Sequence, residues 1–371
     1  RKFGRKAAGV VAVLGMMATW VAMSELLQGL QASDGGYNKP WALTWIIHSS
    51  YALNLLPWAV LRKLRIRSVG HPSRPQTFWI QDAGVPVSLS RVAWTTALLT
   101  WLSAAVAYTW YSSLSKTTVA SNNAIFQSSS CIVFLLSIPL LGERPTLVKC
   151  LAVLLSVGGV TLIATSKRTT ADKAIHPSWV GYVLLAFSVV FYALFEVLFK
   201  YFVEGKSVAA PSPSGIVLLE DTDQQNPNVE PKIDDFHRGA LLDVEISCLY
   251  LGLIGVWSAV LLPVGVPILA VAGVETFEPV PLRLGGLVAL NCCLDALFNM
   301  CLFIGLVLTS PLFISVGSTL VSPVSIVTDR LLHDTQFSAT GYAGAALVIL
   351  AFLLLSVPTP QHCFQRSPLA T

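Results

Sequence analysis

Carboxylate and amide side chains stand at isolated positions inside long apolar segments of this sequence. Asp295 lies at the centre of the apolar segment 284–307, with Asn291 and Asn299 four residues to either side, so all three share one helix face. An ionised side chain at the centre of a bilayer costs about 2.5–3.5 kcal/mol on insertion scales, so such residues face a protein interior or a water-filled path. We expect the stripe to bind a solute or a proton; hydrogen bonding between helices is the alternative.

Two glutamates occupy corresponding positions in two other apolar segments. Glu25 and Glu196 are each the nineteenth residue of their segment, 7–30 and 178–203. Burial disfavours a carboxylate unless a cation is near. One of the two is therefore expected to bind a proton or a cationic group, whereas pairing of Glu196 with Lys200, four residues later, is the alternative.

Uncharged polar and aromatic residues extend this set. Asn123, Gln127 and Ser130 fall on one face of the segment 119–141, and Ser315, Ser318, Ser322 and Ser325 on one face of 311–332. They are expected to line a hydrogen-bonding cavity, with close helix packing as the alternative for the serines. Tyr108 and Tyr192 are candidates for stacking on a ring-bearing solute. The candidate substrate-binding or coupling residues are therefore Glu25, Tyr108, Asn123, Gln127, Tyr192, Glu196, Asn291, Asp295, Asn299 and Ser322. No catalytic residue or metal ligand is predicted.

The elements that carry these residues are predicted to be membrane helices. Apolar residues make up 54% of the 371 residues and charged residues only 12%, against about 25% charged residues in soluble domains. The charges cluster between apolar runs long enough to cross a bilayer, which takes about 20 residues. The ten predicted spans are 7–30, 41–61, 88–111, 119–141, 147–166, 178–203, 243–266, 284–307, 311–332 and 338–357.

Lysine and arginine are distributed unequally between the two sides of these spans. The side of the N-terminus receives 17 of the 24 basic residues, so the positive-inside rule predicts that both termini are cytoplasmic. The segment 204–242 combines prolines with acidic residues and cannot bury much apolar area, which predicts a flexible cytoplasmic linker. The tail 358–371 is expected on the same side. The net positive charge follows from this bias, and no nucleic-acid partner is predicted.

The ten spans divide into two sets of five that match weakly. Leu140-Leu141-Gly142-Glu143 before the fifth span resembles Leu331-Leu332-His333-Asp334 before the tenth. Because each set has an odd number of spans, the second enters the bilayer from the opposite side, and the solute site of such inverted repeats lies near the midplane. The predicted fold is an all-α membrane protein of ten transmembrane helices, with residues 1–170 as the first repeat and 171–203 plus 243–357 as the second. Coincidence in an apolar sequence is the alternative.

Several motifs resemble a known family. The run Trp20-Val21-Ala22-Met23-Ser24-Glu25-Leu26, followed by Tyr37-Asn38-Lys39-Pro40, resembles the first helix and exit loop of the F branch of solute carrier family 35. The run from Ser121 to Ser130, continued by Gly142-Glu143-Arg144-Pro145-Thr146, also fits, as does Ser315-Val316-Gly317-Ser318-Thr319-Leu320 with Pro323 and Asp329. The resemblance implies the drug/metabolite transporter (EamA-like) superfamily, with ten helices, inverted repeats and alternating access.

The resemblance says less about the substrate. Nucleotide-sugar carriers of the wider family use an aromatic-Asn-Asn motif and a late Gly-Ala-Leu-Asn-Lys motif. Here Ser121-Asn122-Asn123 lacks the aromatic residue and Gly317-Ser318-Thr319-Leu320 lacks the lysine, which a diphosphate would need. A thiamine-like cation has been associated with one relative in the F branch.

We therefore expect a secondary transporter of a small polar or organic-cation-like solute, without a cofactor. The alternatives are a nucleotide-sugar antiporter of the endomembrane system and a non-transporting membrane scaffold. An enzyme is not expected, because the six histidines are scattered and no catalytic cluster is evident. The expected partners are the solute, the lipid bilayer and a proton or counter-solute, and a homodimer is left open. The Golgi or vacuole is favoured over the plasma membrane.

Overall fold

The computed structural model describes residues 2–32, 36–69, 89–114, 116–117, 122, 125–166, 178–204, 233–332 and 337–356. Within these ranges the chain forms helices and no β-strand. The helices, in chain order, are α1 (Lys2–Ala32), α2 (Pro40–Ser50), α3 (Leu55–Val69), α4 (Leu89–Leu114), α5 (Ser129–Leu141), α6 (Leu147–Thr165), α7 (Trp179–Glu204), α8 (Ile233–Leu261), α9 (Gly265–Val271), α10 (Leu282–Leu308), α11 (Pro311–Ser318), α12 (Val321–Leu332) and α13 (Ala339–Ser356). The predicted all-α class is confirmed.

Eight helical segments in the described ranges are long and apolar enough to cross a bilayer. They correspond to eight of the ten predicted spans. The second predicted span, 41–61, is divided between α2 and α3, and the fourth, 119–141, corresponds to the shorter apolar helix Ile125–Leu141. Helix α8 begins at Ile233, ahead of the predicted start at 243, and residues 205–232 of the predicted linker lie outside the described residues.

Three helices are interrupted at the same distance from a proline. A proline ring clashes with the carbonyl four residues earlier and its nitrogen cannot donate to it. The 3-10 turn Tyr51–Asn54 contains the position four before Pro57, and the 3-10 turn Leu262–Val264 contains the position four before Pro267. The gap between α11 and α12 falls at Thr319, four before Pro323. The chain therefore bends or tightens where each proline removes a helical hydrogen bond.

Long helices pack in three principal pairs, α1 with α10, α4 with α7 and α6 with α13. Helix α8 packs against α2, the Tyr51–Asn54 turn and α3. Glycines allow the closest of these contacts: a Cβ on Gly255 of α8 would meet the backbone of Tyr51 and Ala52, and one on Gly159 of α6 would lie 2.6 Å from the carbonyl oxygen of Gly344 in α13. These backbone contacts fix where the polar turn at Tyr51 lies in the bundle.

The outer surface of the bundle is apolar and its interior holds polar groups. Large apolar side chains are strongly exposed, among them Leu282 at 97%, Trp94 at 74% and Leu154 at 69%. Asn291 and Glu196, in contrast, are completely buried. Exposed apolar surface on this scale is unfavourable in water, and it suits contact with lipid.

Candidate functional site

A cavity lies at the centre of the bundle, among α1, α2, α4, α7 and α10. It encloses about 530 Å³ of empty space, a figure that includes space open to solvent. The fifteen lining residues are Trp20, Met23, His48, Tyr51, Ser103, Val106, Ala107, Trp110, Tyr111, Phe126, Tyr192, Phe195, Asp295, Phe298 and Asn299.

Asp295 is held in the cavity wall by two hydrogen-bond donors. The Tyr51 hydroxyl donates to Asp295 Oδ2. Asn299 Nδ2 donates to Tyr51 Oη at 2.9 Å and approaches Asp295 Oδ1 at 3.5 Å. The 3-10 turn before Pro57 places the tyrosine, and one turn of α10 separates the acid from the amide. A carboxylate with neutral donors and no paired cation among the described residues is prepared to receive a positively charged group.

Aromatic rings form most of the remaining wall. Trp20 contacts three rings, with centroid distances of 5.1 Å to Trp110, 5.3 Å to Phe126 and 5.2 Å to Phe298. Tyr192 packs against Phe126 at 5.0 Å. We call these five residues the aromatic cage. Ring faces carry partial negative charge and attract cations, so the cage and Asp295 favour the same sign of ligand.

Few residues of the cavity wall have ionisable side chains. Asp295 is the single carboxylate among the fifteen lining residues, and none of the fifteen is lysine or arginine. His48 is the single histidine among the fifteen lining residues, and it is buried. Its ring stacks on Tyr51 at 5.0 Å, and its Nδ1 lies 3.1 Å from Ser103 Oγ. The cavity wall therefore carries one carboxylate and neither lysine nor arginine among its lining residues.

Three of the ten predicted residues line this cavity: Asp295, Asn299 and Tyr192. Asn123 lies outside the described residues. The structure places the other six outside the cavity lining, and they are Glu25, Tyr108, Gln127, Glu196, Asn291 and Ser322.

These six residues have different surroundings. Glu25 is half-buried on α1 and Tyr108 makes an edge contact with Trp41 at 5.5 Å. Gln127 Oε1 accepts a hydrogen bond from Ser318 Oγ at 3.2 Å, which joins the start of α5 to α11. Ser322 and Asn291 are buried, and their polar side-chain atoms have no hydrogen-bond partner among the described residues. The Gln127 contact is the kind of hydrogen bond between helices that the packing alternative predicts.

Glu196 and Lys200 share a face of α7. Lys200 Nζ donates to the carbonyl oxygens of Leu306 at 2.8 Å and Thr309 at 2.9 Å, at the carboxyl end of α10. A lysine there satisfies carbonyls that have no helical donor. Both carboxyl oxygens of Glu196 are buried without a hydrogen-bond partner among the described residues.

The sequence prediction missed Tyr51 and four members of the aromatic cage. Trp20, Trp110, Phe126 and Phe298 are apolar by residue type, and hydropathy does not separate rings that face a cavity from rings that face lipid. A usable signal was present for Tyr51, because His48 and Tyr51 are three residues apart in an apolar span and therefore share a helix face.

A cluster of polar residues joins the loop before α2 to the segment before α10. Lys39 Nζ lies 2.7 Å from Glu278 Oε1, and Tyr37 Oη donates to Glu278 O at 2.7 Å. Glu275 accepts from the backbone nitrogens of Trp41 at 2.9 Å and Ala42 at 3.0 Å, which caps α2. Burial, with Glu275 and Glu278 nearby, raises the pKa of Tyr37 to about 12. The hydrogen bond and charge of Lys39 lower the pKa of Glu278.

No family model matches the chain. The chain is 25% identical to the thiamine-repressible mitochondrial transport protein of Saccharomyces cerevisiae, over 94% of this chain and 91% of the relative. It is 27% identical to mouse solute carrier family 35 member F5, over 69% of this chain and 42% of the relative.

A solved crystal structure that is 12% identical has the same fold, with a TM-score of 0.55 over 94% of this chain and 96% of the other. The likeness in fold extends over nearly all of both chains. Together with eight helices that can cross a bilayer, the relatives support a multi-pass membrane transporter that is similar to members of the F branch of solute carrier family 35.

Proposed function

We propose that the chain carries a small ring-bearing organic cation across the membrane by alternating access, with Asp295 as the counter-charge and the aromatic cage as the ring-binding wall. The observation that carries this proposal is a cavity with one carboxylate, several stacked rings, and no lysine or arginine among its lining residues. Transport without chemical conversion agrees with the named relatives, which are carriers.

The expected energies favour a cation over an anion. A cation on an aromatic face gains about 0.5–2 kcal/mol, and a charge-assisted contact with a carboxylate adds about 1.5–3 kcal/mol. A nucleotide sugar carries a diphosphate, which Asp295 would repel and which finds no lysine or arginine among the lining residues. The nucleotide-sugar alternative is therefore the weaker one.

Alternating access requires two halves, and we propose the inverted repeats predicted from the sequence. The proposal pairs α1 with α7, α2 and α3 with α8 and α9, α4 with α10, α5 with α11 and α12, and α6 with α13. This pairing is supported by the packing of the helices. When each helix is replaced by its proposed counterpart, pairs of helices in contact correspond to other pairs that are also in contact. The pair α1 and α10 becomes α7 and α4, which also pack, and the contact of α5 with α7 becomes that of α11 and α12 with α1, which is also present.

Two further features support the pairing. The α2–α3 and α8–α9 segments are each divided by a 3-10 turn ahead of a proline. The contact between Gly159 and Gly344 is reciprocal: a Cβ on Gly344 would lie 2.5 Å from Gly159 O, much as one on Gly159 would approach Gly344 O. Reciprocal contact is expected of two equivalent helices beside a pseudo-two-fold axis.

The remaining assignments follow the sequence. We propose that both termini and the segment 204–242 are cytoplasmic, that the membrane belongs to an intracellular organelle, and that a proton or counter-solute drives transport. Asp295, Asn299 and Tyr192 are proposed to contact the solute directly. Glu25, Tyr108, Gln127, Asn291 and Ser322 are proposed to act in other conformations or through packing, and a homodimer remains an open proposal.

The test is ligand-induced thermal stabilisation of the purified chain, since a ligand that binds only the folded state raises its apparent stability. N-methylnicotinamide and thiamine supply ring cations, nicotinamide is the uncharged partner of the first, and UDP-glucose represents the nucleotide sugars. We expect stabilisation by a cation, little by nicotinamide, and binding weakened about 10- to 100-fold in Asp295→Asn, as expected for the loss of about 1.5–3 kcal/mol.

Glu143→Gln is the matched control, because it removes a carboxylate from the turn between α5 and α6, where Glu143 pairs with Lys149 at 2.6 Å. It should leave cation binding unchanged. Stabilisation by UDP-glucose alone would favour the nucleotide-sugar alternative. Equal responses to nicotinamide and N-methylnicotinamide, or no response to either cation, would refute the proposed substrate class. Binding without uptake into proteoliposomes would favour a scaffold.

A further inference from the structure

Glu196 is a buried acid that the proposed solute site does not use. Its side chain is completely buried, and neither carboxyl oxygen has a hydrogen-bond partner among the described residues. It lies directly behind the cavity wall, because Phe195 precedes it in sequence and Tyr192 is one helical turn earlier, and both line the cavity. The carboxyl group therefore lies on a helix of the cavity wall, next in sequence to one lining residue and one helical turn from another.

Asp295 and Glu196 differ in the hydrogen bonds that their carboxyl groups receive. Asp295 receives hydrogen bonds from Tyr51 and Asn299, which stabilise a charged oxygen. For Glu196 the donor nearby is the Tyr192 phenol, and neither carboxyl oxygen meets the geometry of a full hydrogen bond. An ionised carboxylate without donors is strongly disfavoured in a buried site, whereas the neutral acid is tolerated. Two carboxyl groups in one protein can therefore differ in protonation state and in role, because their surroundings differ.

Other ionisable groups around α7 do not compensate a charge on Glu196. On α7 itself Lys200 is one turn further on, with its ammonium directed at the carbonyls that end α10. The helices packed against α7 are α4, α5, α10 and α11, and Phe199 of α7 also contacts Tyr250 of α8. Their described ionisable side chains are Arg91, Tyr108 and Tyr111 on α4, Cys131 on α5, Glu245, Cys248 and Tyr250 on α8, and Arg283, Asp295 and three cysteines on α10. None of them donates a hydrogen bond to Glu196.

We propose that Glu196 carries the coupling proton and that the chain exchanges one proton for one cation. In the solute-free state Glu196 is the neutral acid. A cation bound at Asp295 adds positive charge beside the wall of Tyr192 and Phe195, which favours loss of the Glu196 proton to water on the side to which the cavity is open. Release of the cation on the opposite side allows Glu196 to take up a proton there. This inference rests on the proposed cation site.

Infrared difference spectroscopy tests whether the Glu196 carboxyl group is protonated in the absence of a ligand. We expect the carbonyl band of a buried neutral carboxylic acid in the wild-type protein at neutral pH, its loss in Glu196→Gln, and its persistence in Asp295→Asn. A wild-type spectrum without that band, or a band that survives in Glu196→Gln, would overturn the inference. The wild-type spectrum alone can refute the inference. The test therefore remains decisive even where a variant fails to fold.

Proteoliposomes then test the coupling with radiolabelled N-methylnicotinamide. An acidic interior should drive its accumulation by wild-type protein and raise the internal pH, as followed by an entrapped dye. Glu196→Gln should lose this accumulation yet retain counterflow, in which labelled solute exchanges for unlabelled solute without a pH gradient. Intact wild-type counterflow, together with accumulation that does not respond to the pH gradient, would refute proton coupling and leave the cation site intact. Loss of cation binding in every arm would instead refute the cation site.

Discussion

Gly255 links the packing of the bundle to the geometry of the proposed solute site. It lies on α8 against the 3-10 turn that carries Tyr51, and a Cβ there would stand 2.5 Å from Tyr51 C and 2.8 Å from Ala52 Cα. Ordinary van der Waals contacts begin at 3.4 Å, so Gly255→Ala must displace the turn by about 1 Å. Backbone atoms yield less readily than side-chain ends, and overpacking of this kind costs about 1–3 kcal/mol.

The displacement should also reach the cation site. A shift of about 1 Å in Tyr51 breaks its hydrogen bond to Asp295, and a hydrogen bond to a charged group is worth about 1.5–3 kcal/mol. Part of that loss falls on ligand binding, so we expect Gly255→Ala to lower the unfolding temperature and to weaken N-methylnicotinamide binding about tenfold. Intrinsic-fluorescence melting and a binding titration measure the two effects.

Gly158→Ala is the matched control, since Gly158 is also a helical glycine but a Cβ added there would have no atom within 4 Å. Alanine is the better helix former by about 0.5–1 kcal/mol, so this variant should be as stable as the wild type or more so, with unchanged binding. If both alanine variants melt and bind alike, the reasoning that connects α8 to Tyr51 is wrong.

Two further outcomes are expected at the ends of helices. Lys200→Met should lower the free energy of unfolding by about 1–3 kcal/mol, because buried carbonyls at the end of α10 lose their donor; Lys200→Arg should restore part of it, and equal stability of both variants would contradict this role. Glu275→Ala should cost about 0.5–2 kcal/mol through loss of the α2 cap, while Glu275→Gln, which keeps an acceptor, should cost less in the same melting assay.

Much of the fold follows from hydropathy, because a bilayer demands long apolar helices. Eight predicted spans recur as long apolar helices, and the divided second span reflects Pro57, whose effect on the preceding turn can be anticipated. The pairing of helices could not be read in the same way. It depends on backbone approaches such as those at Gly159 and Gly255, and a glycine in a sequence does not show which helix it will meet.

The site was predictable only where polarity contrasts with its surroundings. Asp295 and Asn299 were found because charge and amide groups are rare at the centre of a span. Trp20 and Trp94 are the same residue type, yet Trp20 is buried in the cage and Trp94 is 74% exposed. Sequence position alone also treated Glu25 and Glu196 as equivalents, whereas the structure leaves Glu25 half-buried and buries Glu196 completely.

The reciprocal contact of Gly159 with Gly344 has a mechanical consequence. Where two main chains touch directly, no change of rotamer can make room for one helix to slide along the other. In the proposed alternating-access cycle, we therefore expect α6 and α13 to move as one unit while the helices that surround the cavity change their tilt. A larger side chain at either glycine would push the two helices apart. We expect it to slow transport without contacting the solute.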